Sequence, residues 1–474
     1  MDRSFSLILT IYQTQWNAIK SYPKFNNLKQ VIHIHISSLI SPDIHPTWNY
    51  VDNRFVWNQH LAGPLLPFSK SFGNWFPPTI QGYVTVHNEM RIADNSFSFA
   101  LISRRNKNRA GTRYHTRGAD KEGNVAAYVE TEQILVFPTS SGPQYTSFVQ
   151  TRGSIPLFWK QDINLAYEPP IVVDHEDDTA LKTHFSEQIN FYNKQVILNL
   201  VKKKGAEKAL GYAYKKTVRA WNNEKIRYIG FDVYQHCKGD YAKLSRLINK
   251  IQGDMLEMGY FSMDSTNTIK KSQTGVFRTN CKDCLDRTNL VQGLLARLNM
   301  IQVLKDFNYI KDENDVEKTS FMTLYRCCWA DNGDAISITY AGTPALKGDV
   351  TRTGKRSVQG MLDDGFNAIT RYYVNNFQDG VKQDAMDLFL GNIAVGNTRN
   401  LSSSAVRSEG LIIIAWIVTI FNIIAPLQTR YKYHQMFLVA MVLLVVIFVA
   451  KLFRLSKKVV NIPKLPRQIK QKLG

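Results

Sequence analysis

Acidic side chains are in short supply: 39 Asp and Glu stand against 59 Lys and Arg in 474 residues, which leaves a formal charge of +20. A deficit of that size favours anionic partners. Nucleic acid would fit the charge, but there is no zinc-finger spacing, no basic recognition helix and no Gly-rich RNA-binding aromatic motif, so no nucleic-acid partner is expected. Cysteine is scarcer still. Five residues, an odd number with Cys327 and Cys328 adjacent, argue against a disulfide scaffold and suit a reducing compartment. The first ten residues, MDRSFSLILT, lack both the long apolar core and the cleavage site of a secretory signal. The length suffices for two or three domains with substantial cores.

What is present centres on residues 278–289, RTNCKDCLDRTN. Cys281 is followed six places later by Arg287, and Leu290, Val291, Leu294, Leu295 and Leu298 then recur at helical spacing. A short loop running into a helix N-terminus gathers backbone N–H groups and positive dipole, so it can hold a phosphoryl group without a metal. The same field keeps a cysteine at its centre ionised, and the planar fork of Arg287 can clamp two phosphoryl oxygens. The Cys-x5-Arg spacing is weak by itself. Its company strengthens it: Asp283 and Asp286 lie inside the loop and Thr288 follows the arginine. Cys281 and Cys284 also have the spacing of half a zinc site, or of a buried structural pair, but no second half is convincing.

RTNCKDCLDRTN resembles the signature of the Sac-domain phosphoinositide phosphatases. The resemblance extends to SRRNKNRAGTRYHTRGADKEGNVAAYVETEQIL (103–135), FVQTRGSIPLFW (148–159) and RCCWADNGDAISITYAGTPALKGDVTRTGKR (326–356), and covers roughly residues 48–400. It is greatest to the membrane-anchored branch of the endoplasmic reticulum and Golgi. It implies hydrolysis of phosphatidylinositol 4-phosphate and 3-phosphate without a cofactor or metal. Cys281 matches the nucleophile, Arg287 the phosphate-binding arginine and Asp283 a carboxyl group considered for proton transfer. Such proteins carry a longer N-terminal subdomain than residues 1–47 supply.

The expected fold is α/β: a Cys-x5-Arg phosphatase domain with a mixed central sheet, a partial β-rich N-terminal subdomain and a C-terminal two-helix transmembrane hairpin. The boundaries read as 1–79, 80–400, a linker 401–409, the hairpin 410–453 and a basic cytosolic tail 454–474. Residues 7–12 and 31–39 read as strands, the second placing His33 and His35 on one face. Strands are also expected at 81–89, 97–102 and 132–137, and in SIPLFW and PPIVV as part of the central sheet. Helices are expected over 181–221, with Phe185, Ile189, Val196 and Leu200 buried, and over 239–259. FMTLYRCCWA (321–330) reads as a helix, Asp331 to Asp334 as a turn and ISITY as a strand. His175, His184 and His236 lack metal-ligand spacing.

Two basic loops invite a role at a lipid head group. Residues 103–123 carry Arg104, Arg105, Arg109, Arg113 and Arg117 among glycines, and 342–356 carry Lys347, Arg352, Lys355 and Arg356. For each the alternative is a solvated surface turn. Lys282, Asp286, Thr288, Asn289, Arg352, Lys355 and Arg356 are candidate substrate-contacting residues, with Asp286 expected to brace the loop and Arg287.

Residues 410–427 and 436–453 are apolar runs of 18 residues each. As helices each would be about 27 Å long, enough for a thin bilayer. Lys451–Gly474 has eight Lys or Arg and no acid, whereas the connection 428–435 has only Arg430 and Lys432, so both the catalytic domain and the tail are expected in the cytosol. The expected partners are phosphatidylinositol monophosphates and anionic membrane lipids. Competing readings are a catalytically weak or inactive phosphoinositide-binding membrane protein, and a protein or soluble phosphomonoester phosphatase.

Overall fold

In the computed structural model, residues 48, 51–68, 76–166, 168–174, 177–237, 241–393 and 460–465 are described. The strands expected at 7–12 and 31–39, with His33 and His35 in the second, His175 and the apolar hairpin lie outside these residues. Among the described residues no helix is long and apolar enough to cross a membrane.

Four long strands, β1 (Gly82–Ile92), β2 (Asn95–Arg105), β3 (Val129–Thr139) and β4 (Gly142–Arg152), form an antiparallel meander. Two shorter strands pair with each other only: β5 (Trp159–Gln161) and β6 (Ile171–Val173). SIPLFW and PPIVV therefore contribute to a separate ribbon and not to the central sheet. Residues β7 (Lys194–Asn199), β8 (Ile226–Gly230), β9 (Phe261–Met263), β10 (Ile269–Lys271) and β11 (Gly275–Asn280) complete a nine-stranded mixed sheet. Its main path runs β1-β2-β3-β4-β11-β7-β8, with β9 and β10 attached beside the start of β4.

The far end of β4 changes partner, and its pairing to β11 is parallel, as are β11 with β7 and β7 with β8. Parallel strands deliver their carboxyl ends to one edge of a sheet, where the connections that carry function gather. Arg152, Asn280 and Asn199 end three adjacent strands there.

The helices are α1 (Gln59–Ala62), α2 (Thr179–Tyr192), α3 (Lys208–Trp221), α4 (Val233–Cys237), α5 (Ser245–Met258) and α6 (Asp286–Asp306). They continue with α7 (Asn314–Glu317), α8 (Ser320–Ala341), α9 (Gly348–Thr353), α10 (Val358–Phe377) and α11 (Asp379–Phe389). The largest core packs α5, α6 and α8 against Phe97, Phe99, Leu135, Phe137 and Phe277 of the sheet.

Two expectations fail for physical reasons. The continuous helix over 181–221 is broken at Asn193, whose φ of 57° is left-handed, and QVILN then forms the buried β7. Val196 and Leu200 are buried as strand and strand-end residues, not along a helix face. Asp331–Asp334 and ISITY are a continuation of α8 and neither a turn nor a strand. Gly333 serves packing instead: a β-carbon there would lie 2.5 Å from Nδ2 of Asn289, so the glycine lets α8 approach α6.

Residues 460–465 rejoin the domain. Val460 packs with Ile163, Leu165 and Phe377, and the Asn461 N–H donates to the Asn376 carbonyl at 2.7 Å. Asn461 Oδ1 accepts from the Val381 N–H at 2.9 Å, over Gly380, where any β-carbon would sit 2.2 Å from that oxygen.

Candidate active site

β11 is buried along its whole length, so its last residue fixes where the following loop starts. Residues 281–285 turn sharply and α6 begins at Asp286. Cys284 makes the turn with φ of 54°, a conformation costly for a side chain other than glycine. That strain aims its backbone N–H at Cys281 Sγ, 3.1 Å away. Thr288, in the first turn of α6, adds its hydroxyl at 3.4 Å. Burial alone would push the Cys281 thiol up. The contact with Cys284, the Arg287 charge and the Thr288 hydroxyl outweigh it and bring the thiol down to about 6. Cys284 goes the other way, pushed well up by burial and by the neighbouring sulfur, and its thiol donates to the Cys281 carbonyl at 3.3 Å. Among the described residues no cluster of His, Cys, Asp and Glu is placed to hold a metal.

Arg287 lies on the same first turn, and its guanidinium forms two parallel bonds to Glu207. Nη1 also reaches the Leu200 carbonyl at 2.9 Å, just beyond the end of β7. Glu207 is itself buried and receives the Lys202 N–H at 2.7 Å. Sequence reasoning missed it; the only signal was a lone acid in the basic run KKKGAEK. Missed too was Tyr234 on α4, whose ring has Lys347 Nζ at 4.6 Å, Lys202 Nζ at 4.8 Å and the Arg287 guanidinium at 5.7 Å.

The loop's acids are spoken for. Asp283 lies between Arg113, at 2.8 Å, and Arg117, at 2.7 Å. The Arg113 contact is an aligned hydrogen bond, whereas the Arg117 contact is a close ion pair without good alignment. Burial would raise this carboxyl, but Arg113 first and Arg117 next hold it well below the usual carboxylate range. In this arrangement Asp283 is an ionised tether between two arginines, a state that does not favour the proton transfer the resemblance implies for it. Asp286 accepts the Leu346 N–H at 2.7 Å and pairs with Arg371 at 3.4 Å. It therefore braces residues 343–348 and not Arg287.

The remaining candidates divide by position. Lys282 pairs with Glu168. Asn289 is buried and takes a bond from Arg152 at the end of β4. Arg352 is paired with Asp331 and Asp334, at 2.8 Å each, and Arg356 with Asp349 and Asp364. Those carboxylates hold both arginines along α8, α9 and α10, and Lys355 is exposed beside them. Lys347 is the cation of that segment that reaches the Arg287 neighbourhood. The 103–123 segment is likewise no solvated turn. Arg104 bonds Glu130 and Glu132, Arg105 bonds Gln81 and the Gly111 carbonyl, and Arg109 bonds the Gly118 carbonyl. His184, buried, meets the Gly123 carbonyl at 2.9 Å, and His236 stacks on Phe231.

The family model described as the SacI homology domain matches residues 12–238, beginning well before the point at which the motifs alone place the resemblance. The chain is 42% identical over 362 residues to Phosphatidylinositol-3-phosphatase SAC1-A of Danio rerio, covering 76% of this chain and 61% of that protein. Identity is 39% over 358 residues to Phosphatidylinositol-3-phosphatase SAC1 of Saccharomyces cerevisiae, covering 73% of this chain and 57% of that protein. It is 40% over 378 residues to Phosphatidylinositide phosphatase SAC2 of Homo sapiens, covering 74% and 33%. The chain thus spans about three fifths of the length of the SAC1 relatives and a third of the SAC2 relative. With a SacI homology match over residues 12–238 and an α/β domain built on a mixed sheet, the chain carries a SacI homology domain and is similar, over about three quarters of its length, to proteins named as phosphoinositide phosphatases.

Proposed function

We propose that the chain hydrolyses the head-group monophosphate of phosphatidylinositol 4-phosphate, 3-phosphate or both, through a cysteinyl-phosphate and without a metal. The observation that carries this reading is the Cys281 thiol, brought to about 6 between the Cys284 N–H, the Thr288 hydroxyl and the Arg287 charge at the start of α6. A thiolate there attacks phosphorus, the phosphorus–inositol oxygen bond breaks, and the departing oxygen takes up a proton. Backbone amides and Arg287 stabilise the phosphoryl oxygens. Water then cleaves the sulfur–phosphorus bond, releasing phosphate and restoring the thiolate. A soluble phosphomonoester would need the same chemistry. The family relatives named for phosphatidylinositol, and the basic ring of Lys202, Lys347 and Arg287 around Tyr234, favour the lipid.

The reading extends to a membrane. α10 leaves Val358, Met361, Leu362, Phe366 and Ile369 exposed at helical spacing, which supports work against an apolar surface. The 410–453 hairpin would anchor the domain in the endoplasmic reticulum or Golgi, with domain and tail cytosolic and anionic lipid as the surface met. A second reading, a catalytically weak phosphoinositide-binding protein, is favoured by one contact: Arg287 already has a carboxylate partner. Phosphate release from a panel of phosphoinositides by detergent-solubilised protein decides between them. Release from a 3- or 4-monophosphate supports hydrolysis, and binding without release supports the alternative.

A further inference from the structure

Arg152 ends β4 directly beside Thr279, its parallel partner on β11, two residues before Cys281. Its side chain is fully buried. Nη1 donates to Asn289 Oδ1, while Nε and Nη2 have no partner, and no carboxylate pairs with it among the described residues. A buried cation without a counter-ion is one of the costlier features a fold can keep. Arg278 makes the contrast. It is equally buried, yet its guanidinium is spent on the Gly153 and Ser154 carbonyls and so fixes the chain that follows Arg152. Burial lowers the Arg152 guanidinium, and Cys284 first and then Cys281 are the groups that favour its charged form, while the cation that acts most on Cys281 is Arg287.

We propose that Arg152 is a positioning residue of the reaction: its buried charge has the Cys281 thiolate as counter-ion, and its bond to Asn289 holds the first turn of α6 against the loop. The inference rests on the reading of Cys281 as nucleophile. It explains why an unpaired guanidinium is retained beneath the loop: the negative charge that satisfies it is the thiolate itself. Arg287 does a different task from the other side, tied to Glu207 and open toward Tyr234. The other charged or titratable groups that face Cys281 are Asp283 and Cys284 on its own loop and Tyr234 on α4. All of these remain in an Arg152 variant, so a change in the thiol reports on Arg152.

The test measures the Cys281 thiol directly, by the pH dependence of its alkylation by iodoacetamide in the full-length protein. Trypsin separates the two cysteines of the loop, because Lys282 lies between them, so each rate is read from its own peptide. Arg152→Gln is expected to move the midpoint for Cys281 upward by at least about one pH unit, while Arg152→Lys, which keeps the charge, stays within roughly half a unit of wild type. Thermal melting identifies folded variants. A folded R152Q protein with an unshifted midpoint overturns the proposal and leaves Arg152 a purely structural residue. If R152Q fails to fold, Arg152→Met, which keeps the bulk and removes the charge, takes its place: an upward shift of about one unit supports the charge role, and an unshifted midpoint overturns it. Absence of phosphoinositide hydrolysis by the wild type would overturn the proposed function without altering the alkylation result, so the two failures are distinguishable.

Discussion

The guanidinium of Arg287 meets the carboxylate of Glu207 through two parallel bonds, Nη1 to Oε2 at 2.7 Å and Nη2 to Oε1 at 2.9 Å, with both groups buried. The fork that would grip a phosphoryl group is therefore aimed by an acid from the turn before α3. Glu207→Gln keeps the shape and removes the charge. Breaking a buried pair from one side costs about 3 kcal/mol, so the variant should melt well below wild type. Because Arg287 then lacks its anion, orthovanadate should restore more stability to E207Q than to wild type in a melting series. Equal restoration would show that Glu207 and the ligand do not share the guanidinium. Arg287→Lys, which loses the planar fork, is expected to lower turnover at least tenfold, about 1.4 kcal/mol.

The two cysteines of the loop should behave oppositely. Cys281→Ser is expected to abolish phosphate release and leave the fold intact, because serine has no thiolate to offer at neutral pH. Cys284→Ser keeps the backbone N–H that points at Cys281, and its hydroxyl can still donate to the Cys281 carbonyl in place of the thiol. It should retain substantial activity. Turnover of a short-chain phosphoinositide by C281S at the wild-type rate would sink the covalent mechanism.

Asp283 makes a prediction in pH. With the Cys281 thiol at about 6, activity toward a soluble substrate should rise as pH increases through that value. The Asp283 carboxylate raises the thiol, so Asp283→Asn should move this acid limb to lower pH, and it leaves Arg113 and Arg117 uncompensated in the same direction. A proton donor at this position would instead show itself as loss of the alkaline limb in D283N. Stability has its own sign. A carboxyl held below its ordinary value contributes fully above about pH 4 and loses that contribution as pH falls through its folded value, so wild type should lose stability on acidification more steeply than D283N.

What could be read from the chain was local. The Cys281 to Arg287 spacing and the apolar period after it located a loop and a helix, because both signals lie within one short stretch. The alternating β-branched and aromatic residues of 82–105 likewise marked β1 and β2. What could not be read was supplied by contacts across long sequence separations. Glu207 reaches Arg287 and Arg113 reaches Asp283 because β7 lies beside β11 and the 106–128 loop folds over their carboxyl ends. Helix propensity also misled in both directions. QVILN looks helical beside Phe185 and Ile189 until Asn193 breaks the run, and DNGD looks like a turn although Gly333 is there to admit Asn289.

The last prediction concerns the membrane. The chain leaves the described domain at Ile393 and rejoins it at Val460, where Asn461 bonds Asn376 and Val381 and where Gly380 leaves room for its side chain. The interval 394–459 lies outside the described residues and contains both apolar runs. An even number of crossings returns a chain to the face it left, so the docking of 460–465 on α10 and α11 supports two spans and opposes one. Two helices satisfy their own backbone in lipid, and the basic tail favours the cytosolic face for both ends. In protease-treated intact microsomes, an epitope after Gly474 and one near residue 1 should both be destroyed, whereas one inserted between Arg430 and Tyr431 should survive until detergent is added. Removing 408–474 should leave turnover of a short-chain phosphoinositide but reduce that of the same lipid in vesicles. Because the deletion also strips Asn461 from the domain, Asn461→Ala in the full chain separates the two effects: it disturbs the docking and keeps the anchor. If N461A retains vesicle activity and the deletion does not, membrane access is what the C-terminal segment supplies; protection of either terminal epitope would overturn the topology itself.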